Sequence, residues 1–194
     1  MLERGFKTWC ENVSLQIRKE LGIARANPLP AESLAKHLGV LLWKPIDIRG
    51  LSPQARSVLL RKERNSWSAV TVSFAGVDAI IYNSSHSQAR QSSDIMHELS
   101  HILIGHEPGK IFLSQNGQIM LRTYDQTQEE EASCLANALL LPREALLTIK
   151  RSGMSESEAC ETYGVSRKLL TFRMNISGVN RQVRRVSSLL VGKN

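Results

Sequence analysis

Cysteine is scarce in this chain, and the scarcity excludes two readings at once. Cys10, Cys134 and Cys160 form an odd and widely spaced set, so neither a disulfide framework nor a cysteine-based zinc site is expected. Long apolar runs are missing too: nothing approaches the roughly eighteen residues that a membrane span needs. The opening Met1-Leu2-Glu3-Arg4-Gly5 lacks the basic start and apolar stretch of a signal peptide. A cytoplasmic protein without membrane contact is the expectation. Repeats and low-complexity stretches are also absent, so 194 residues suggest one compact domain with appendages. An apolar share of 42% beside 22% charged residues argues against disorder.

Acidic side chains are outnumbered 18 to 25 by basic ones, and unevenly. Residues 1–65 carry 12 basic and 6 acidic side chains, residues 66–142 carry 3 and 8, and residues 143–194 carry 10 and 4. An acidic middle of −5 is thus flanked by two segments of +6. Such flanks suit nucleic acid, an acidic partner or plain water, and solvated surface is the commonest case.

The acidic middle contains Asp94-Ile95-Met96-His97-Glu98-Leu99-Ser100-His101-Ile102-Leu103-Ile104-Gly105-His106. On a helix His97 and His101 lie one turn apart, so both imidazoles can grip one divalent ion with Glu98 beside them. This is the HExxH zinc-hydrolase pattern. Ile95, Leu99, Ile102 and Leu103 keep helical spacing, so the helix is expected to be buried, where two histidines and a glutamate need a shared partner. The plain alternative is a pair of core histidines satisfied by backbone carbonyls.

A catalytic zinc requires a third protein ligand and an open position for water. The metzincin spacing would put Gly and His where this chain has Ile104 and Glu107, so His106 is out of phase for it. A gluzincin takes a carboxylate from a second helix, and the candidate helix is Gln128 to Pro142. Its apolar stripe is Ala132, Leu135, Ala136, Leu139 and Leu140. At about 100° per residue, Glu129 lies about 60° from the centre of that stripe, Glu131 about 100°, and Glu130 on the far side. Glu129 is the preferred ligand and Glu131 the reserve. An acidic first turn stabilised by the helix dipole would explain Glu130 and could account for all three.

HELSH followed 28 residues later by EEEASCLANALLLP resembles the ImmA/IrrE family of metallopeptidases, whose second motif runs approximately E-x-E-A-N-x-F-A-x-x-L-L-x-P. Glu129, Glu131, Ala132, Ala136, Leu139, Leu140 and Pro142 match it, while Ser133 and Leu135 replace the usual Asn and Phe. Trp67 to Thr71, Ile81-Tyr82-Asn83, Arg90-Gln91 and Leu34 to Val40 also look similar to the family, so the resemblance covers roughly residues 30 to 175. It departs at Ser92, Ser93 and Ser100.

The rest of the chain supplies the frame. Phe6, Trp9, Val13, Ile17 and Leu21 predict a helix over residues 3–21, stopped by Gly22. A short helix over Ala31 to His37, a strand at Val40 to Trp43 and a helix capped by Ser52-Pro53 follow. Trp67 to Phe74 and Val77 to Tyr82 predict a hairpin that delivers the chain into a helix from Arg90 to His106. A second hairpin is expected at residues 111–113 and 119–121, with Asn116-Gly117 at its turn. After Pro142 come a helix from Arg143 to Lys150, a helix-turn-helix-like unit (Ser155 to Asn175) and a basic, mobile tail from Arg181 to Asn194. As a DNA reader that unit would present Arg167, Lys168 and Arg173, although any helical hairpin with a Gly turn looks this way.

Together with the resemblance, these elements imply an α+β, zincin-like fold, mainly helical, with a small twisted sheet next to the HExxH helix. The expected division is an N-terminal helical appendage (1–26), a metallopeptidase core (27–142) and a C-terminal helical region with its tail (143–194). The chemistry follows. His97, His101 and Glu129 hold Zn2+, and Glu98 takes a proton from the attacking water and returns it to the leaving amine. Tyr124 and His106 are candidate oxyanion donors, and Asp94 and Asp125 candidates to orient a ligand imidazole. The resemblance further implies a protein substrate, a separate helix-turn-helix repressor, because 26 residues are too few for an attached DNA-binding domain. The competing classes are a non-catalytic metal-binding module and a DNA-binding regulator working through the basic C-terminal region.

Overall fold

The computed structural model describes residues 2–74, 76–106, 112–113, 119–120 and 125–182. Its first helix, α1 (Phe6–Glu20), ends at Leu21, and Gly22 with φ 67° turns the chain away. Of the expected apolar stripe, Ile17 is in the core and Phe6, Val13 and Leu21 pack against it, but the most buried face of α1 is offset from the stripe. That face carries Cys10, Ser14, Ile17 and Arg18, while Trp9 stays 40% exposed. Ser14 and Arg18 go inward because they have acceptors there. Ser14 Oγ donates to Ala138 O at 2.7 Å, and Arg18 donates to Leu139 O (2.8 Å), Asn27 O (3.1 Å) and Ser14 Oγ (2.7 Å). Burial pulls the Arg18 guanidinium down to about 10.

The Ala138 and Leu139 carbonyls belong to the end of α5 (Gln126–Leu140), where Pro142 stops the helix and leaves C=O groups without intrahelical partners. Arg173 supplies further donors, bonding Leu141 O at 2.9 and 2.7 Å and Glu11 at 2.5 Å. The N-terminus of α5 is capped by Asp125, whose carboxylate accepts from the backbone N–H of Thr127 and Gln128. Asp125 therefore serves the helix rather than a histidine.

Helix α2 (Ala31–His37) leads to strand β1 (Leu41–Trp43); α3 (Pro53–Ser57) starts at Ser52, whose side chain accepts from Ala55 N. Strands β2 (Ala69–Phe74) and β3 (Val77–Tyr82) follow. The sheet order is β1-β3-β2, with β1 parallel and β2 antiparallel to β3, so Thr71 and Leu42 both face Ile80 across the ladder. β2 lies at an edge of this sheet. Helix α4 (Gln88–Ile104) packs against the sheet and α5 through Ile95, Met96 and Leu99, all fully buried. It stops two residues short of the expected His106, because Gly105 adopts φ 80° and the N–H groups of both Gly105 and His106 return to His101 O.

Strands β4 (Phe112–Leu113) and β5 (Ile119–Met120) pair antiparallel, and the expected turn between them lies outside the described residues. Helices α6 (Arg143–Ser152), α7 (Glu156–Tyr163) and α8 (Arg167–Ile176) complete the chain as described, apart from a short helical stretch at residues 179–182. The tail beyond Gln182 lies outside the described residues. In the helix-turn-helix-like unit Arg173 is only 5% exposed and committed to Leu141 and Glu11, so it cannot reach a phosphate. Arg167 pairs with Glu156 at 3.3 Å on the surface.

One hydrophobic cluster runs from Cys10 and Ile17 of α1 through Ile80, Met96 and Leu135 to Leu146, Tyr163 and Leu170. The fold is α+β and mainly helical, with its small sheet beside the HExxH helix, as expected. Among the described residues no single helix is long and apolar enough to cross a membrane.

Candidate metal centre

Two helices make the site. α4 projects His97 and His101 from one face, and the first turn of α5 brings Glu129 against them. His97 Nε2 lies 3.2 Å from His101 Nε2 and 3.0 Å from Glu129 Oε2, and His101 Nε2 lies 3.6 Å from Glu129 Oε1. The donor atoms of the three residues all fall within 4.8 Å of one another. Tetrahedral ligands on zinc, at bond lengths of 2.0–2.1 Å, stand about 3.3 Å apart. The three separations bracket that value, and two imidazoles with a carboxylate are a donor set that zinc accepts. Glu131 points elsewhere, so of the two weighed carboxylates it is Glu129 that reaches both imidazoles.

Glu131 instead accepts from His106. His106 Nε2 lies 3.0 Å from Glu131 Oε2, and His106 Nδ1 lies 2.9 Å from His101 Nδ1. A carboxylate only accepts, so a neutral His106 carries its proton on Nε2 and presents a lone pair at Nδ1. His101 must then donate from Nδ1, which leaves its Nε2 lone pair aimed at Glu129 and His97. The relay Glu131, His106, His101 thus sets the tautomer a metal requires. His106 reaches this place because the turn at Gly105 folds the chain back over His101. As an oxyanion donor it is displaced: its ring stands behind the ligand imidazole. Tyr124, the other candidate, lies outside the described residues.

Glu98 is half-buried and accepts a 2.5 Å hydrogen bond from Thr71 Oγ1 of β2 at its Oε2. That bond fixes one carboxylate oxygen and turns the helix's glutamate towards the sheet. On the other side Ser133 Oγ stands 3.5 Å from His97 Nδ1, at the position where the resembled motif has Asn. Asp94 does not orient a ligand imidazole; it meets His86 Nδ1 at 3.3 Å and Arg90 at 3.7 Å. The sequence does not announce the roles of Thr71, Ser133 and the His106–Glu131 pairing. Only Thr71 has a local signal: Ala69, Thr71 and Ser73 give one face of β2 small and polar side chains.

Residues 58–175 match the peptidase family described as the IrrE N-terminal-like domain, more than half of the chain. The chain belongs to that family. The matched span runs from before β2 to near the end of α8 and includes both metal-centre helices. The family is one of peptidases, and in this chain His97, His101 and Glu129 form a group that could hold a metal ion. The match begins later than the resemblance suggested, leaving α1, α2, β1 and α3 outside it. No curated protein matches the chain.

In this IrrE-like peptidase the relay has a measurable consequence. His106→Ala and Glu131→Gln should each weaken divalent-ion binding about 10- to 100-fold, read by competition with a chromogenic chelator. Glu130→Gln, the same chemical change one residue away, should leave affinity within about twofold. Equal affinities for all three variants would remove the orienting role.

Proposed function

We propose that this chain is a zinc-dependent endopeptidase that cuts a separate, cytoplasmic helix-turn-helix repressor at one site and thereby controls transcription. The observation that carries the reading is the convergence of His97 Nε2, His101 Nε2 and a Glu129 oxygen, with Glu98 next to them on the same helix. Zinc held there would act as a Lewis acid on the scissile carbonyl and bring a bound water's pKa towards 7.

The protein's own groups handle the rest. Glu98 Oε2 is engaged by Thr71, so Oε1 is the oxygen placed to take the water's proton and hand it to the leaving amine. Glu131 and His106 keep the His101 proton on Nδ1. The sheet offers a way to present a substrate: β2 bonds β3 on one side and has no strand partner on the other among the described residues. An extended peptide added to that edge would run beside Thr71 and hence beside Glu98.

The repressor part rests on the resemblance to ImmA/IrrE proteins. A dedicated substrate also agrees with the charge pattern, since flanks of +6 on either side of an acidic middle offer docking for an acidic face. Such steering weakens as salt rises. The test is incubation with the product of a neighbouring helix-turn-helix gene at low and high salt. A single cut, slower at high salt, is expected. Digestion of unfolded casein at an equal rate would overturn the dedicated substrate, and retention of an uncut complex would favour a binding module.

A further inference from the structure

Cys10 of α1 and Cys134 of α5 place their sulfurs 3.6 Å apart, and both are free thiols. The contact belongs to a seam between two helices in fixed register. One turn along both helices Ser14 Oγ bonds Ala138 O, with the same sequence offset of 124 residues, and Arg18 clamps Leu139 O beyond it. Cys and Ser against Cys and Ala are small side chains, which lets the helices approach closely. A disulfide needs sulfurs about 2.05 Å apart, so closing this pair requires about 1.5 Å of movement.

The two sulfurs have unequal surroundings. Cys10 is fully buried, whereas Cys134 is partly exposed; both border a cavity of about 690 Å3 together with Lys7, Phe172 and Arg173. The Cys10 S–H donates to Cys134, and Arg173 and Lys7 add positive charge, so the Cys134 thiol is held below its ordinary range. Cys10 is pushed up, by its hydrogen bond to Cys134 and by burial. A partly exposed thiol 3.6 Å from a fully buried one is the arrangement of an attacking and a resolving cysteine.

We propose that Cys134 and Cys10 form an oxidation site at which a hydroperoxide converts the thiol pair into a disulfide joining α1 to the helix that carries Glu129. In the first step the Cys134 thiolate attacks a peroxide oxygen. The S–O bond forms, the O–O bond breaks, and hydroxide leaves and is protonated to water (or the alcohol of an organic peroxide). Sulfur loses two electrons and the peroxide gains them. Next the Cys10 sulfur attacks the sulfenic sulfur; S–S forms, S–O breaks, and the Cys10 proton leaves with hydroxide as water. The product ties α1, which lies outside the family match, to the peptidase core and closes a loop of 124 residues. A crosslink over so long a loop restricts the unfolded chain strongly.

The test uses the full chain and hydrogen peroxide. Free thiols should fall from three per chain to one, with a peptide map showing Cys10 joined to Cys134 within one chain and Cys160 unmodified. The oxidised protein should unfold at a higher temperature, and a dithiol reductant should reverse both changes. In Cys10→Ser, Cys134 should stop at the sulfenic acid and be trapped by dimedone; in Cys134→Ser, Cys10 should stay reduced. Three thiols surviving peroxide, consumption of Cys160 first, or links only between chains would overturn the proposal. The peptide map of the wild-type chain distinguishes these outcomes by itself, so poor folding of either variant does not weaken the test.

Discussion

Glu98→Gln should lower peptide-bond cleavage about 10³-fold while leaving one divalent ion per chain. The amide keeps the volume of the carboxylate and can still accept the Thr71 hydroxyl at its oxygen, so the local packing has no reason to change. What it loses is the ability to take a proton from water and return it to an amine. Glu98 is not among the three residues whose donor atoms converge, so metal content separates this effect from loss of a ligand. Two measurements on one preparation decide: turnover of the best repressor substrate, and metal per chain by elemental analysis. Turnover within about tenfold of wild type would remove Glu98 from the reaction. Loss of metal along with turnover would make it part of the metal centre instead. The variant should also hold substrate long enough to be captured, which makes it the reagent for identifying the substrate.

Residues whose placement is set by spacing along one helix are legible in the sequence. His97, Glu98 and His101 need only the helical period, and Glu129 needs only its angle from Ala132, Ala136 and Leu139. The role of His106 is not legible in that way, because a helix running through it hides the turn that matters. Gly105 is the signal that ends the helix at Ile104, and the return of His106 onto His101 is a consequence of that left-handed turn. The relay through Glu131 then requires two separate helices to be placed, which periodicity cannot do.

The buried face of α1 departs from expectation at Trp9, Ser14 and Arg18, for a different reason. Counting apolar residues selects Trp9 and passes over Ser14 and Arg18, which are buried because the truncated end of α5 presents carbonyls that need donors. Arg173 looks like surface charge in the sequence for the same reason, and the fold commits it to Leu141 O. Cys10 and Cys134 are 124 residues apart, so no local pattern could join them. In each case a helix terminus or a packing partner elsewhere in the chain decides the side chain's environment, and the sequence names neither.

His101→Ala should weaken divalent-ion binding by more than about 100-fold, beyond the loss expected for a residue that only orients a ligand. His101 is 5% exposed, and its Nε2 faces both His97 and Glu129; an alanine leaves two donors, too few to compete with water for zinc. Glu129→Gln should act similarly, because a neutral amide oxygen is a poorer ligand than a carboxylate. A loss of about 100-fold in affinity corresponds to about 2.7 kcal/mol. Because a metal that binds only the folded chain stabilises it, the same number has a second readout. At an ion concentration about a hundred times the wild-type dissociation constant, chelation should lower wild-type stability by about 2.7 kcal/mol, or about 5–10 °C in Tm for a chain of this size. His101→Ala should unfold at one temperature with or without chelator. If His97 and His101 were merely satisfied core histidines, the substitution would shift Tm equally in both conditions and chelation would leave the wild type unchanged. That pattern would remove the metal centre and, with it, the hydrolytic mechanism built on Glu98.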